Sequence, residues 1–285
     1  MREIPSQGAD KAGAVGRLFQ DWRCKRGKSQ LALALEAGVS ARHLSFIESG
    51  RSNPSREMVL LLAEALDVPY RERNDLLTAA GFAPHYRETG LSTPELAFAR
   101  QAIELILRHQ EPFPAVVMDR HWNLMMANPP AERLFALLLE GRTLPGPPNV
   151  IRTMFHPAGV RRWVANWEAV AGSLLERIYR ESLGGAPDAA TRQLLDEALG
   201  YAGLPAKALR ASAAVPVSAL IPVQFRKGEL ALDFFSAVTT LGTPRDVTLQ
   251  EIRIECFFPA NDPTARQAAP LLSRPDRDED VLTPD

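Results

Sequence analysis

The stretch KSQLALALEAGVSARHLSFIESGRSNPS, residues 28–55, constrains this chain more than any other. It holds two short segments with helical apolar spacing, each preceded by a serine, with a glycine between them. A serine hydroxyl at a helix start accepts from the N–H groups of the first turn, which have no partner within the helix. Ser29 therefore predicts a helix from Gln30 to Glu36 or Ala37, and Ser40 a second from Ala41 to Ser49. Gly38 supplies the sharp turn. Leu33, Ala34 and Ala37 face inward on the first helix, where small side chains let another helix cross closely. Leu44 and Ile47 form the inner face of the second, leaving Ala41, Arg42, Ser45 and Phe46 outward. The result is a helix-turn-helix followed by a polar, basic loop.

The flanks extend this unit. Val15, Leu18, Phe19 and Trp22 have i, i+3, i+4, i+7 spacing, which predicts a helix from about Ala14 that stops at Gly27. A fourth helix is expected from Ser55 to Leu66, with Met58, Val59, Leu62, Ala65 and Leu66 inward. A fifth runs from about Tyr70 to Ala80, with Gly81 as its stop. Residues 1–13 read as a flexible arm, 14–82 as the five-helix domain and 83–93 as a linker. Residues 94–270 form a second domain and 271–285 an acidic, disordered tail.

Charge supports the division. The chain carries a net charge of −1, which excludes a uniformly basic coat for nucleic acid. Between Lys11 and Leu60, however, nine Lys/Arg face four acids. Phosphate is neutralised only at the contact face, so local charge is what DNA binding requires.

The major groove accepts one α-helix, with small or polar residues near its N-terminal end. Ser40, Ala41, Arg42, His43, Ser45 and Phe46 occupy that position. Arg42 suits a guanine edge, or is a solvated helix charge. Phe46 suits a thymine methyl, or packs at the rim of the core. His43 is a weaker candidate for base reading. Gln30, at the start of the preceding helix, is placed to hold a phosphate. Arg51, Asn53 and Arg56 would grip the flanking backbone of a double-stranded operator.

The fragments SQ, LA, AGVS, IESG, PS and LAEALDVP, in that order and spacing, resemble the five-helix, lambda-repressor-like DNA-binding domain of Xre-type regulators. The resemblance covers about residues 14 to 80. It implies that Arg23, late in the first helix, pairs with Glu48, late in the third. The run HLSFIESGRSNPSREMVLLLAEALDVPYRERNDLLTAAGFAPHY is similar to regulators that carry a C-terminal MmyB-like ligand-binding domain. NPPAERLF, FHPAGVRRWVANWE and LGTPRDVTLQEIRIECFFPAND extend that similarity over nearly the whole chain. It implies an α+β, PAS-like second domain with a five-stranded antiparallel sheet.

The residues of the second domain give a compatible order. A helix from Pro94 to His109 precedes two short strands around a turn at Asp119 to His121, then a helix from Pro129. Residues 141–149 are loop. Helices are expected at 150–155, 157–181 and 188–200. Three strands follow, in VSALIPVQF, ELALDFFSAVTTL and VTLQEIRIECFF, the first two joined by a hairpin at Lys227-Gly228. In the last strand Ile252, Ile254, Cys256 and Phe258 alternate with Glu251, Arg253 and Glu255.

Such a fold can enclose a small-molecule cavity. Met118, Trp122, Met126, Phe155, Trp163, Trp167 and Phe234 are the candidate apolar walls, or ordinary core residues. Asn128, Asn166 and Arg161 or Arg162 are the candidate polar anchors, which would suit an apolar, fatty-acid-like ligand with one charged end. No catalytic fingerprint or metal-ligand spacing is present, so neither enzyme activity, cofactor nor metal is expected. Cys24 and Cys256 lack CxxC spacing and fit a reduced, cytoplasmic setting. No apolar run is long enough to span a membrane. The expectation is a homodimeric, ligand-responsive transcription regulator. The alternatives are a constitutive regulator whose second domain serves only dimerisation or protein interaction, and an enzyme that carries a DNA-binding unit.

Overall fold

The computed structural model describes residues 7–183, 189–201 and 220–273. The chain forms two compact units. Of the described residues, one takes those up to Gly90 together with Thr243–Gln250, and the other takes those from Leu91 to Gly242 and from Glu251 onward.

The first unit is helical: α1 (Gln7–Lys25), α2 (Gln30–Glu36), α3 (Ala41–Glu48), α4 (Arg56–Ala65) and α5 (Tyr70–Ala79). Serine caps fix three of the starts. Ser29 accepts from Ala32 N at 3.1 Å, Ser40 from His43 N at 3.1 Å and Ser55 from Met58 N at 3.2 Å. Gly38 turns the chain between α2 and α3 at φ +65°, a conformation open to glycine without steric cost. Val15, Phe19, Leu33, Leu44, Ile47, Val59 and Leu62 meet in one core. Gly16 makes the α1–α3 crossing possible, since a Cβ there would lie 2.4 Å from Ile47 O and 2.7 Å from Glu48 O.

One boundary differs from expectation. The helix begins at Gln7, so residues 7–13 are helical and not the expected flexible arm. Ala and Lys favour the helix, and two glycines, Gly8 and Gly13, at about 1 kcal/mol each do not stop it.

The second unit is built on a five-stranded antiparallel sheet in the order β2-β1-β5-β4-β3. Its strands are β1 (Ala115–Met118), β2 (Leu124–Ala127), β3 (Val223–Lys227), β4 (Leu230–Thr239) and β5 (Arg253–Pro259). The helices are α6 (Ala97–His109), α7 (Pro129–Leu139), α8 (Val150–Phe155), α9 (Trp167–Leu183), α10 (Ala189–Tyr201), α11 (Val247–Glu251), whose residues to Gln250 belong to the first unit, and α12 (Asp262–Leu272). The larger core joins Val116 and Met118 of β1, Phe225 of β3, and Leu232 and Phe234 of β4 to Phe155, Val170, Ala171, Leu175 and Ile178.

Several local expectations are corrected. The helix expected over 157–181 begins only at Trp167, after a 3-10 turn at Arg161–Trp163. Gly159 folds back so closely that a Cβ would lie 2.2 Å from Thr153 O, and Val160 N donates to that carbonyl at 2.9 Å. VTLQE is α11 rather than strand, because Asp246 accepts from Thr248 N at 2.9 Å and starts a helical turn. The hairpin turn is Gly228-Glu229, one residue later than expected, since Lys227 pairs with Leu230. The start of the preceding strand is Val223, just past Pro222, and residues 217–219 lie outside the described residues. The tail cannot begin at Leu271. Asn261 caps α12 by accepting from Thr264 N at 2.8 Å, and Leu272 is fully buried. The remainder of the expected tail lies outside the described residues.

Candidate DNA interface and ligand site

Helix α3 presents the expected outer face. Arg42 and His43 are exposed, Ser45 and Phe46 half-buried, and the Arg42 guanidinium lies over the Phe46 ring at 5.4 Å. Arg51 and Asn53 in the following loop are exposed. The only acid of α3, Glu48, is 3% exposed and turned inward. It accepts from Arg23 Nε at 2.7 Å and Nη2 at 2.9 Å. This pair, implied by the resemblance, holds the Arg23 guanidinium above its ordinary pKa, chiefly through the Glu48 hydrogen bonds. The outer face of α3 therefore carries positive charge and no carboxylate.

The remaining candidates are partly committed within the fold. Gln30 donates through Nε2 to Glu48 Oε2 at 2.7 Å, so its side chain braces the ion pair. Ser40 uses its hydroxyl as the α3 cap, and half-buried Ala41 packs beside the core. Arg56 Nη2 lies 2.9 Å from His85 Nδ1.

In the second unit Met118, Trp122, Phe155 and Phe234 belong to one buried cluster, with Trp163 and Trp167 packed against it. Phe155 and Trp167 meet edge to face, their centroids 5.0 Å apart. Met126 does not join them. It pairs with Val117, whereas Ala127 and Leu124 pair with the core-facing Val116 and Met118. Strand pairs share a face, so Met126 lies on the opposite side of the sheet.

The expected polar anchors are occupied by structural bonds. Asn128 accepts from Ala115 N at 2.9 Å and Ala131 N at 3.0 Å, and donates to Leu107 O at 3.2 Å and Phe113 O at 2.9 Å. An asparagine amide has two donors and one acceptor oxygen, so nothing is left for a ligand. Asn166 fastens the start of β3, donating to Pro222 O at 2.7 Å and accepting from Gln224 N at 3.1 Å. Arg161 donates to Tyr201 O at 2.6 Å, and Arg162 to Glu140 Oε2 at 3.1 Å. Trp163 Nε1 donates to Leu138 O at 2.8 Å.

A different polar group lies on the core face of the sheet. Met118 pairs with Arg253 and Val116 with Glu255, so both charged residues share the face of the large cluster. The alternation in β5 separates these charges from Ile254 and Cys256 without assigning either set to the core. Here β5 is central, flanked by β1 and β4, and its Ile254 and Cys256 are buried on the other face. Burial raises the Cys256 thiol above its ordinary pKa. Glu255 accepts from Ser236 Oγ at 2.6 Å and pairs with Arg177 of α9 at 3.5 Å. The guanidinium of Arg177 lies 4.4 Å from the centroid of the fully buried Trp122 ring, and that of Arg253 lies 5.8 Å from it.

Trp122 has φ +65°, an uncommon conformation for a bulky side chain. Asp119 holds its turn, accepting from His121 N at 2.8 Å and Asn123 N at 2.9 Å. The sequence sign of this cluster was two charges within an otherwise apolar central strand.

Among the described residues, no group of His, Cys, Asp and Glu is arranged to hold a metal ion, and no helix is long and apolar enough to cross a membrane. The model of the MmyB-like transcription regulator ligand binding domain matches residues 99–271, more than half of the chain. A helix-turn-helix model matches residues 19–73. No curated protein matches the chain.

Proposed function

The chain belongs to the family of MmyB-like transcription regulators, and from that premise we propose how its two units act as reader and sensor. Helix α3 enters the major groove and reads base edges with Arg42 and Phe46, with Ser45 and His43 beside them. Arg51, Asn53 and Arg56 hold the flanking phosphates, together with the first-turn N–H groups of α2 at Gln30. The observation that carries this reading is the charge on α3: its one acid points inward and is neutralised by Arg23, leaving Arg42 outward.

The second unit senses an apolar, fatty-acid-like molecule in a PAS-like fold. Met118, Trp122, Phe155 and Phe234 supply the wall, with Trp163 and Trp167 at its edge. Arg177 and Arg253, whose guanidinium groups lie 4.4 Å and 5.8 Å from the Trp122 ring centroid, receive the acidic head. Arginine suits a carboxylate because its planar fork offers parallel donors. The protein acts as a homodimer on half-sites one helical turn, roughly 34 Å, apart. Phe98 and Leu105 of α6, one heptad apart and 84% and 49% exposed, offer an apolar face for pairing.

Selection of operator DNA from a random-sequence pool with the full chain tests the reader. Titration of the selected site with and without sodium myristate, paired with native mass spectrometry, tests the sensor. Enrichment of one partly palindromic sequence and a five-fold or greater change in affinity on myristate binding, within the usual range of about 5–150-fold for coupled sites, are expected. No enriched sequence contradicts the reader. Enrichment with no bound myristate contradicts the fatty-acid reading, and bound myristate with unchanged affinity points to a constitutive regulator.

A further inference from the structure

The connection between β4 and β5 does not close as a tight turn. Antiparallel neighbours need only a two-residue loop, yet this one runs from residue 240 to 252, and Thr243–Gln250 packs as part of the helical unit. There it supplies what α5 lacks. The residue before α5 is Pro69, which gives no side-chain cap. Gln250 Oε1 instead accepts from Tyr70 N at 2.7 Å, across 180 residues of sequence.

Three further bonds fasten the same segment. Tyr70 Oη donates to Pro244 O at 3.2 Å, Val247 N to Arg87 O at 2.8 Å and Thr89 N to Asp246 Oδ1 at 3.4 Å. Asp246 and Val247 are buried. The chain at 85–89 is itself bound to α5. Asn74 Oδ1 accepts from His85 N at 2.9 Å and Tyr86 N at 3.0 Å. The Tyr86 ring stacks on Tyr70 with centroids 4.1 Å apart, and Arg73 donates to Tyr86 Oη at 3.0 Å.

We propose that Thr243–Gln250 is a transmission strap, through which the pairing of β4 with β5 sets the stability of α5 in the DNA-binding unit. Three residues at one end and two at the other join the strap to paired strands, and Thr239, the last residue of β4, faces Ile254 of β5. A shift between these strands moves the ends of the strap and loosens or tightens the Gln250 cap. Because α5 packs on α1 and α4, a change in its order reaches the core that supports α3. The strap gives the insertion a regulatory role, one that holds whatever ligand the second unit takes.

Amide hydrogen exchange of the full chain, read by mass spectrometry, tests this without a ligand or an operator. Ile254→Val, or Ile254→Ala where the milder change is too small, is used to loosen β5 until its own amides exchange faster. With the strap intact, α5 amides then exchange roughly two- to ten-fold faster. In a Gln250→Ala/Tyr70→Phe background the same substitution changes α5 exchange at least about two-fold less, the Val247–Arg87 and Thr89–Asp246 bonds remaining. Gln250→Glu keeps an acceptor at the α5 start and restores the response. The proposal is overturned if loosening β5 leaves α5 exchange unchanged with the strap intact, or alters it equally in both backgrounds.

Discussion

Arg23 and Glu48 meet at two points, Nε to Oε1 at 2.7 Å and Nη2 to Oε2 at 2.9 Å, and so tie the end of α1 to the end of α3. Arg23 also donates to Lys28 O at 2.9 Å, and Gln30 adds a third bond to the carboxylate. The exposures of the two side chains, 11% and 3%, place the pair largely out of water. Removing one member leaves the other charge poorly compensated. Glu48→Ala is therefore expected to lower stability by about 3 kcal/mol, read as the urea midpoint of the helical unit in the full chain. A change below about 0.5 kcal/mol would show that the pair contributes little.

Two glycines are predicted to respond in opposite ways to alanine. Gly16→Ala drives a methyl group into the Ile47 and Glu48 carbonyls, and overpacking of this kind costs about 1–3 kcal/mol. Gly200, in α10, has nothing within 4 Å of an added Cβ. Gly200→Ala is expected to add about 0.5–1 kcal/mol by favouring the helix. Thermal unfolding of the two variants measures both signs.

These glycines show where sequence reading stops. The serine caps at Ser29, Ser40 and Ser55 and the apolar periodicity of α1 to α5 depend on neighbours within four residues, so they were legible. Gly16 sits within a helical pattern, and nothing nearby announces that α3 crosses its Cα. The same holds for β5. Alternation correctly divided Ile254 and Cys256 from Arg253 and Glu255, but it could not say which face the large core covers. Asn128 and Asn166 looked like free anchors because their bonding partners lie on other elements. The α5 cap was beyond local reasoning altogether, since Gln250 lies 180 residues from Tyr70.

Acid should weaken the link between α8 and α10. Hydrogen bonds from Arg152 hold the Glu197 carboxyl below its ordinary pKa, with Tyr201 Oη donating to it at 2.9 Å. A depressed folded-state pKa gives stability that is present above the unfolded value of about 4.3 and lost as pH falls through the folded value. The melting temperature of Glu197→Gln is expected to fall less steeply than that of the native chain on acidification below that pH. Parallel curves for the two proteins would contradict the assignment.

The two thiols should differ in reactivity. Cys24 is exposed, whereas Cys256 is buried on β5 and its thiol is pushed above the ordinary range by burial and the nearby Glu255 charge. Thiolate is the reacting form. A disulfide reagent at neutral pH is expected to label Cys24 quickly and Cys256 only after unfolding, as mass spectrometry of the labelled peptides would show. Equal rates would mean that β5 opens readily.

The central claim is that α3 reads DNA through Arg42, and the most direct measurement compares Arg42→Ala with Arg51→Ala on the selected operator across salt concentrations. Arg42→Ala is expected to weaken binding by about 1–3 kcal/mol and relax preference at one base position. Arg51→Ala should weaken all sequences about equally and reduce the salt slope by about 1. Unchanged affinity and unchanged base preference in Arg42→Ala would contradict the account.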